Sequence, residues 1–187
     1  MSRNFIIAIG IVSGIALLVG GLLFFRSRRP PPIQFGCVQE TQKVEVTDGR
    51  FMTGVVEEGK TYEALIGFYQ CNKPQRGDVV LYRFSSSSDP VIKIVRAVEG
   101  DRFELVADKA RGAWNLKING DIHTYNGEPY FFGGRGKPTL GLYEKDRNNT
   151  LGPNEVILLS NAPPGINDSG MFGLVHKNDL IAKIKSP

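Results

Sequence analysis

Cysteine, histidine and tryptophan are scarce: two, two and one in 187 residues. Neither Cys37 nor Cys71 stands in metal-ligand spacing with the other, with His123 or with His176, so no metal site and no cofactor is expected. Charge of one sign is also lacking. The net charge is only +4, and no basic run is interleaved with aromatics, which argues against a nucleic-acid partner. The basic residues that do cluster, Arg26, Arg28 and Arg29, follow an apolar run and suit anionic lipid headgroups. Internal repeats and low-complexity tracts are missing, and helical periodicity is nearly so. Whether the two thiols pair is left open by the spacing.

The chain has one long hydrophobic run. Phe5 to Phe25 extends for about twenty residues without a charge, enough to cross roughly 30 Å of hydrocarbon as a helix. A cleaved secretory leader has a shorter core, about 7–15 residues, and ends in a small-residue site. This run is longer and leads into Arg26-Ser27-Arg28-Arg29 and Pro30-Pro31-Pro32. The expectation is a retained single-pass transmembrane anchor over 1–29, then a stiff spacer over 30–37. Arg26, Arg28 and Arg29 outnumber Arg3 and the terminal amine, which by itself favours a cytoplasmic body.

The remainder, about 150 residues, suffices for one core or a core with a subdomain. It reads as short strands. Asp78–Phe84 and Pro90–Val98 are β-branched and aromatic runs joined by the polar link Ser85–Asp89, the pattern of a hairpin. Arg102–Ala107, Trp114–Ile118 and Glu155–Leu159 are further strands, and Asn119-Gly120 and Asn126-Gly127 are among the turn signals between them. Thr61–Tyr69 fits a short helix or a strand. The body is therefore expected to be mainly β, with residues 38–187 forming one domain. Residues 105–154, richer in Asn, Gly and loops, look like an insertion into a core made by 38–104 and 155–187.

Four segments resemble the bacterial type I signal peptidases, the serine–lysine leader peptidases. Gly49-Arg50-Phe51-Met52 is similar to the family's nucleophile segment, in which a Ser-Met stands. Lys93 lies eight residues before Asp101, the family's spacing from catalytic lysine to the Asp of a Gly-Asp pair. Arg76-Gly77-Asp78-Val79-Val80 resembles the R-G-D-[IV]-[IV] strand, and Asp168-Ser169-Gly170-Met171-Phe172-Gly173-Leu174-Val175 resembles D-S-R-x-[FW]-G-x-V. The resemblance spans roughly residues 45–187. It implies a β-core interrupted by a smaller β-subdomain, and a body held outside the cytoplasm at the cytoplasmic (inner) membrane, opposite to the charge bias.

The resemblance assigns Lys93 to the general base, Phe51 to the nucleophile position, Asp168 and Ser169 to the support motif, and Gly49 and Met52 to substrate binding. Three positions depart from the pattern. Phe51 replaces the serine, Ile166 replaces a serine that bonds the lysine, and Gly170 replaces an arginine that pairs with Asp168. Upstream, Ser160-Asn161-Ala162-Pro163 stands where G-D-N-R is usual. A phenyl ring cannot attack a carbonyl. Thr47 and Thr53 are each a strand step or more, roughly 6–7 Å, from the required place. Lys93 has Pro90 where a Ser-x-x-Lys arrangement needs its serine. The function expected is an inactive relative that binds exported or leader peptides, or assembles an envelope secretion, pilus or conjugation machine with its subunits at the bilayer. The alternatives are an active leader peptidase with an unconventional nucleophile, and a purely structural envelope protein.

Overall fold

The computed structural model describes residues 34–85, 88–133 and 136–185. The expected span Phe5–Phe25 lies outside them, and no helix among the described residues is long and apolar enough to cross a membrane. The strands are β1 (Glu40–Glu45), β2 (Thr61–Ile66), β3 (Val79–Tyr82), β4 (Val91–Ala97), β5 (Phe103–Asp108) and β6 (Ala113–Ile118). Four two-residue strands follow: β7 (Asp121–Ile122), β8 (Thr124–Tyr125), β9 (Glu128–Pro129) and β10 (Phe131–Phe132). β11 (Glu155–Leu159), β12 (Val175–His176) and β13 (Leu180–Ile184) complete a mainly β fold.

A seven-stranded sheet runs β1-β2-β13-β3-β4-β11-β12, with its neighbouring strands antiparallel. β3 and β4 form the hairpin expected across Ser85–Asp89, with Val80 opposite Lys93. β4 is nearly continuous in apolar residues because packing covers it on both sides. Ile94 joins a cluster with Met52, Leu81 and Ala182, whereas Val95 joins another with Val80, Leu158 and Phe172. Thr61–Tyr69 resolves as both alternatives in part. It is strand to Ile66 and a single 3-10 turn over Phe68–Gln70, divided at Gly67. Gly67 has φ 77°, and a Cβ there would sit 2.9 Å from the Cys37 carbonyl oxygen, so only glycine fits that corner.

Residues 103–132 build separate sheets: β10-β6-β5 with β7 on β6, and the β8-β9 pair. Asn119-Gly120 and Asn126-Gly127, all with positive φ, close the two tight turns β6–β7 and β8–β9. Phe103, Leu116, Tyr130 and Phe132 from this region pack with Ala97, Ile157 and Leu159 of the large sheet.

Two polar knots brace the frame. The Asp78 carboxylate accepts from Lys183 Nζ at 2.6 Å, Tyr69 Oη at 3.0 Å and the Gln75 amide at 3.0 Å. Asp101 accepts from Arg76 Nε at 2.8 Å and also from Arg76 Nη2, from Val98 N at 2.9 Å and from Asn119 Nδ2 at 3.0 Å. Burial pushes the Asp101 carboxyl up, but the bonds from Arg76, Asn119 and Val98 outweigh it and hold the group below its ordinary range.

Cys37 and Cys71 form a disulfide with Cα atoms 6.0 Å apart, closing a 34-residue separation. A loop of that length is worth about 3–4 kcal/mol. Beside it, Asn72 grips the backbone of Gln34 from both sides. Its Oδ1 accepts from Gln34 N at 2.8 Å, and its Nδ2 donates to Gln34 O at 2.7 Å.

Candidate active site

Lys93 sits mid-strand on β4, between β3 and β11, and is only 5% exposed. Its Nζ donates to Ser160 Oγ at 3.1 Å. Ser160 follows directly on β11, is fully buried, and donates in turn to Ile166 O at 3.2 Å. Ile166 removes the serine side chain that the family pattern places there, yet the lysine keeps a hydroxyl partner, supplied six positions earlier. Burial lowers the Lys93 pKa, and the charges of Asp168 and Asp48 only partly offset this.

Asp168 is fully buried at the start of the short helix Ser169–Phe172. One carboxylate oxygen caps that helix by accepting from Gly170 N at 2.8 Å. The other accepts from Tyr130 Oη at 2.8 Å. Burial pushes this carboxyl up, against the opposing pull of Tyr130, Gly170 and Lys93. Where the family pattern has an arginine at Gly170, Tyr130 supplies this carboxylate with a hydrogen bond but with no positive charge. A side chain at 170 has no room: a Cβ would lie 2.3 Å from Phe132 Cδ1. Ser169, also fully buried, accepts from Leu158 N at 2.9 Å and so ties this helix to β11.

Phe51 lies on the 3-10 turn Arg50–Met52 and is half-buried. Its carbonyl accepts from Asn161 N at 2.8 Å and Ala162 N at 3.2 Å, and Asn161 Nδ2 donates to Thr53 O at 2.7 Å. Asn161 Oδ1 accepts from Arg96 Nη2 at 2.7 Å, so one asparagine laces the turn, the end of β11 and β4 together. Burial lowers the Arg96 pKa. Burial and the nearby Arg96 charge push His123 down to about 4. The Phe51 ring stacks 5.8 Å from the Arg50 guanidinium, which is held by Asp48. The hydrogen bonds from Arg50 draw the Asp48 carboxyl down to about 2.

Phe51, Met52 and Lys93 share a cavity of about 560 Å³, whose walls also include Val44, Thr47, Ile92 and Ile166. Met52 is 3% exposed and belongs mostly to the core. Gly49 does not line the cavity. It is a close-approach position, where a Cβ would meet Glu58 N at 2.8 Å. Thr53 turns its hydroxyl to Arg50 O at 2.9 Å, and Thr47 lines the cavity without a hydrogen bond to Lys93. Among the described residues, Ser160 Oγ is the only side-chain hydroxyl on Nζ. No group of His, Cys, Asp and Glu that could hold a metal occurs among the described residues.

Spacing singled out Lys93, Phe51 and Asp168, of which Lys93 and Phe51 line one cavity, but it did not single out Ser160, Asn161 or Tyr130. The available signal was a hydroxyl and an amide directly after the apolar Val156–Leu159 run, read from sequence only as a departure from G-D-N-R.

Solved structures include a signal peptidase I from Enterococcus faecalis V583, which is 22% identical, with a TM-score of 0.42, over 61% of this chain and 98% of that one. No curated protein matches the chain. The family model described as signal peptidase, peptidase S26, matches residues 36–187, which is nearly the whole described body. The chain belongs to the signal peptidase family, peptidase S26.

Proposed function

We propose that this member is catalytically inactive and uses its cleft to hold extended exported peptides, serving as a binding or assembly subunit of an envelope machine. One observation carries the reading. Where acyl transfer needs a hydroxyl at the cavity wall beside a neutral lysine, the chain has Phe51, and the hydroxyl on Lys93 is the fully buried Ser160. The cleft has the means to bind a strand. β1 is an edge of the large sheet, and Val44 and Glu45 line the cavity, so main-chain groups adjoin it for strand addition. The Cys37–Cys71 disulfide supports a body in an oxidising compartment, outside the cytoplasm, in agreement with the resemblance and against the arginine bias.

Comparing Phe51→Ser with the unmodified chain in a leader-peptide cleavage assay tests this. Cleavage by Phe51→Ser alone supports an intact site lacking one hydroxyl, whereas cleavage by the unmodified chain refutes inactivity. The Lys93–Ser160 bond favours one second reading, a peptidase in which Ser160 swings out as the nucleophile. That reading requires a serine-directed acylating probe to label Ser160, and the label to vanish in Lys93→Ala.

A further inference from the structure

The amine of Lys93 is left idle by a peptide-binding cleft, yet its surroundings suit it to a different chemistry. Nζ acts as donor towards Ser160 Oγ, and the Ser160 hydrogen is committed to Ile166 O. In the neutral amine the lone pair has one described hydroxyl within reach, Ser160 Oγ at 3.1 Å, whose hydrogen is shared with Ile166 O. No described carboxylate forms an ion pair with Nζ. Asp48 is paired with Arg50, and Asp168 is bonded to Tyr130 Oη and Gly170 N. The side chain is 5% exposed but reaches a cavity of about 560 Å³, the size of a small-ligand site. Its lining is mixed: Val44, Val46, Leu81, Val91, Ile92 and Ile166 supply aliphatic surface, and Glu45, Asp48, Arg50 and Asp89 supply charge. Burial favours the neutral amine, against the charges of Asp168 and Asp48.

We propose that Lys93 is a reversible covalent capture site for aliphatic aldehydes, with the alkyl chain lodged in the cavity. The nitrogen lone pair attacks the carbonyl carbon, and the C=O π pair moves to oxygen. One proton passes from nitrogen to that oxygen, giving a neutral carbinolamine. The hydroxyl then leaves with a proton as water, and the nitrogen pair forms the C=N bond of an imine. One water is released, no oxidant or reductant is consumed, and added water reverses the step. An aldehyde carrying phosphate or carboxylate is disfavoured, because the cavity's arginine, Arg50, is already neutralised by Asp48. This capture needs only the cavity and the amine, and stands whether or not the cleft binds peptides.

The test uses the full chain in detergent, treated at neutral pH with hexanal and sodium cyanoborohydride and mapped by peptide mass spectrometry. Hexylation of Lys93 is expected to be faster than that of the exposed Lys43, because burial favours the neutral amine and the cavity receives the hexyl chain. Labelling of Lys93 no faster than of Lys43 overturns the proposal. Ile92→Trp, which fills the cavity, is expected to remove the hexanal preference at Lys93 while formaldehyde, needing no cavity, still labels it. Hexanal labelling of Ile92→Trp at the unmodified rate would overturn the role of the cavity.

Discussion

Two regions of the large sheet answer to different demands. Around Asp78 and Asp101, each buried carboxylate is met by three protein groups, including a lysine or an arginine. Around Lys93, one strand away, a buried amine has a single hydroxyl, a phenyl ring occupies the nucleophile position, and a cavity stays open. The first region matches the family pattern residue for residue at Arg76, Gly77, Asp78 and Asp101, whereas the second has lost three of its side chains. The difference teaches that matches to the family pattern and departures from it fall in different parts of this chain. Arg76, Gly77, Asp78 and Asp101, which tie strand ends together, match it, whereas Phe51, Ile166 and Gly170 depart from it. A kept motif here attests the frame before it attests the reaction.

Removing the Asp101 carboxylate should have the largest effect. Asp101→Ala leaves Val98 N and Asn119 Nδ2 without their acceptor and frees Arg76, and should cost about 3 kcal/mol in urea unfolding. Gly170→Arg, which restores the family side chain, should nonetheless destabilise by about 2–3 kcal/mol through displacement of Phe132. A stable Gly170→Arg with unchanged melting temperature would mean that the region around Asp168 is more plastic than the frame. Asn161→Ala, which unlaces the Phe51 turn from β4, should cost about 2 kcal/mol.

The smallest effect should be of opposite sign. Lys93→Met replaces a buried amine by an apolar chain of similar length, leaves Ser160 its bond to Ile166, and should stabilise by about 1 kcal/mol at neutral pH. Because folding lowers the Lys93 pKa, the folded chain binds fewer protons than the unfolded one between the depressed value and about 10.4. The cost of the buried lysine is therefore full below the depressed value and fades as pH rises towards 10.4. The advantage of Lys93→Met should shrink in step, as thermal melts across that range would reveal. An advantage independent of pH would show that Lys93 does not titrate differently in the fold.

The sequence reported local features well. The β3–β4 hairpin was legible because β-branched and aromatic runs flank a serine-rich link, and Asn-Gly pairs marked the tight turns. β1 was not legible. Its residues Glu-Thr-Gln-Lys-Val-Glu are almost all exposed, so the strand exists through its ladder to β2 rather than through any buried face. At the site, fixed spacing singled out Lys93 and Asp168. Their partners could not be read that way, since Ser160 meets Lys93 across 67 positions and Tyr130, between β9 and β10, meets Asp168 across 38. Such pairings are decided by packing between strands, which no local pattern encodes.

The Cys37–Cys71 bond has a mechanical consequence. Tension entering at Gln34 passes through Cys37 directly to Cys71, and residues 38–70 hang beside that path as a slack loop. That loop contains β1, β2 and the Phe51 turn, and so most of one wall of the cavity. A tug on the N-terminal end of the body would be borne by covalent sulfur and passed on to the chain after Cys71, leaving the cleft its shape under strain.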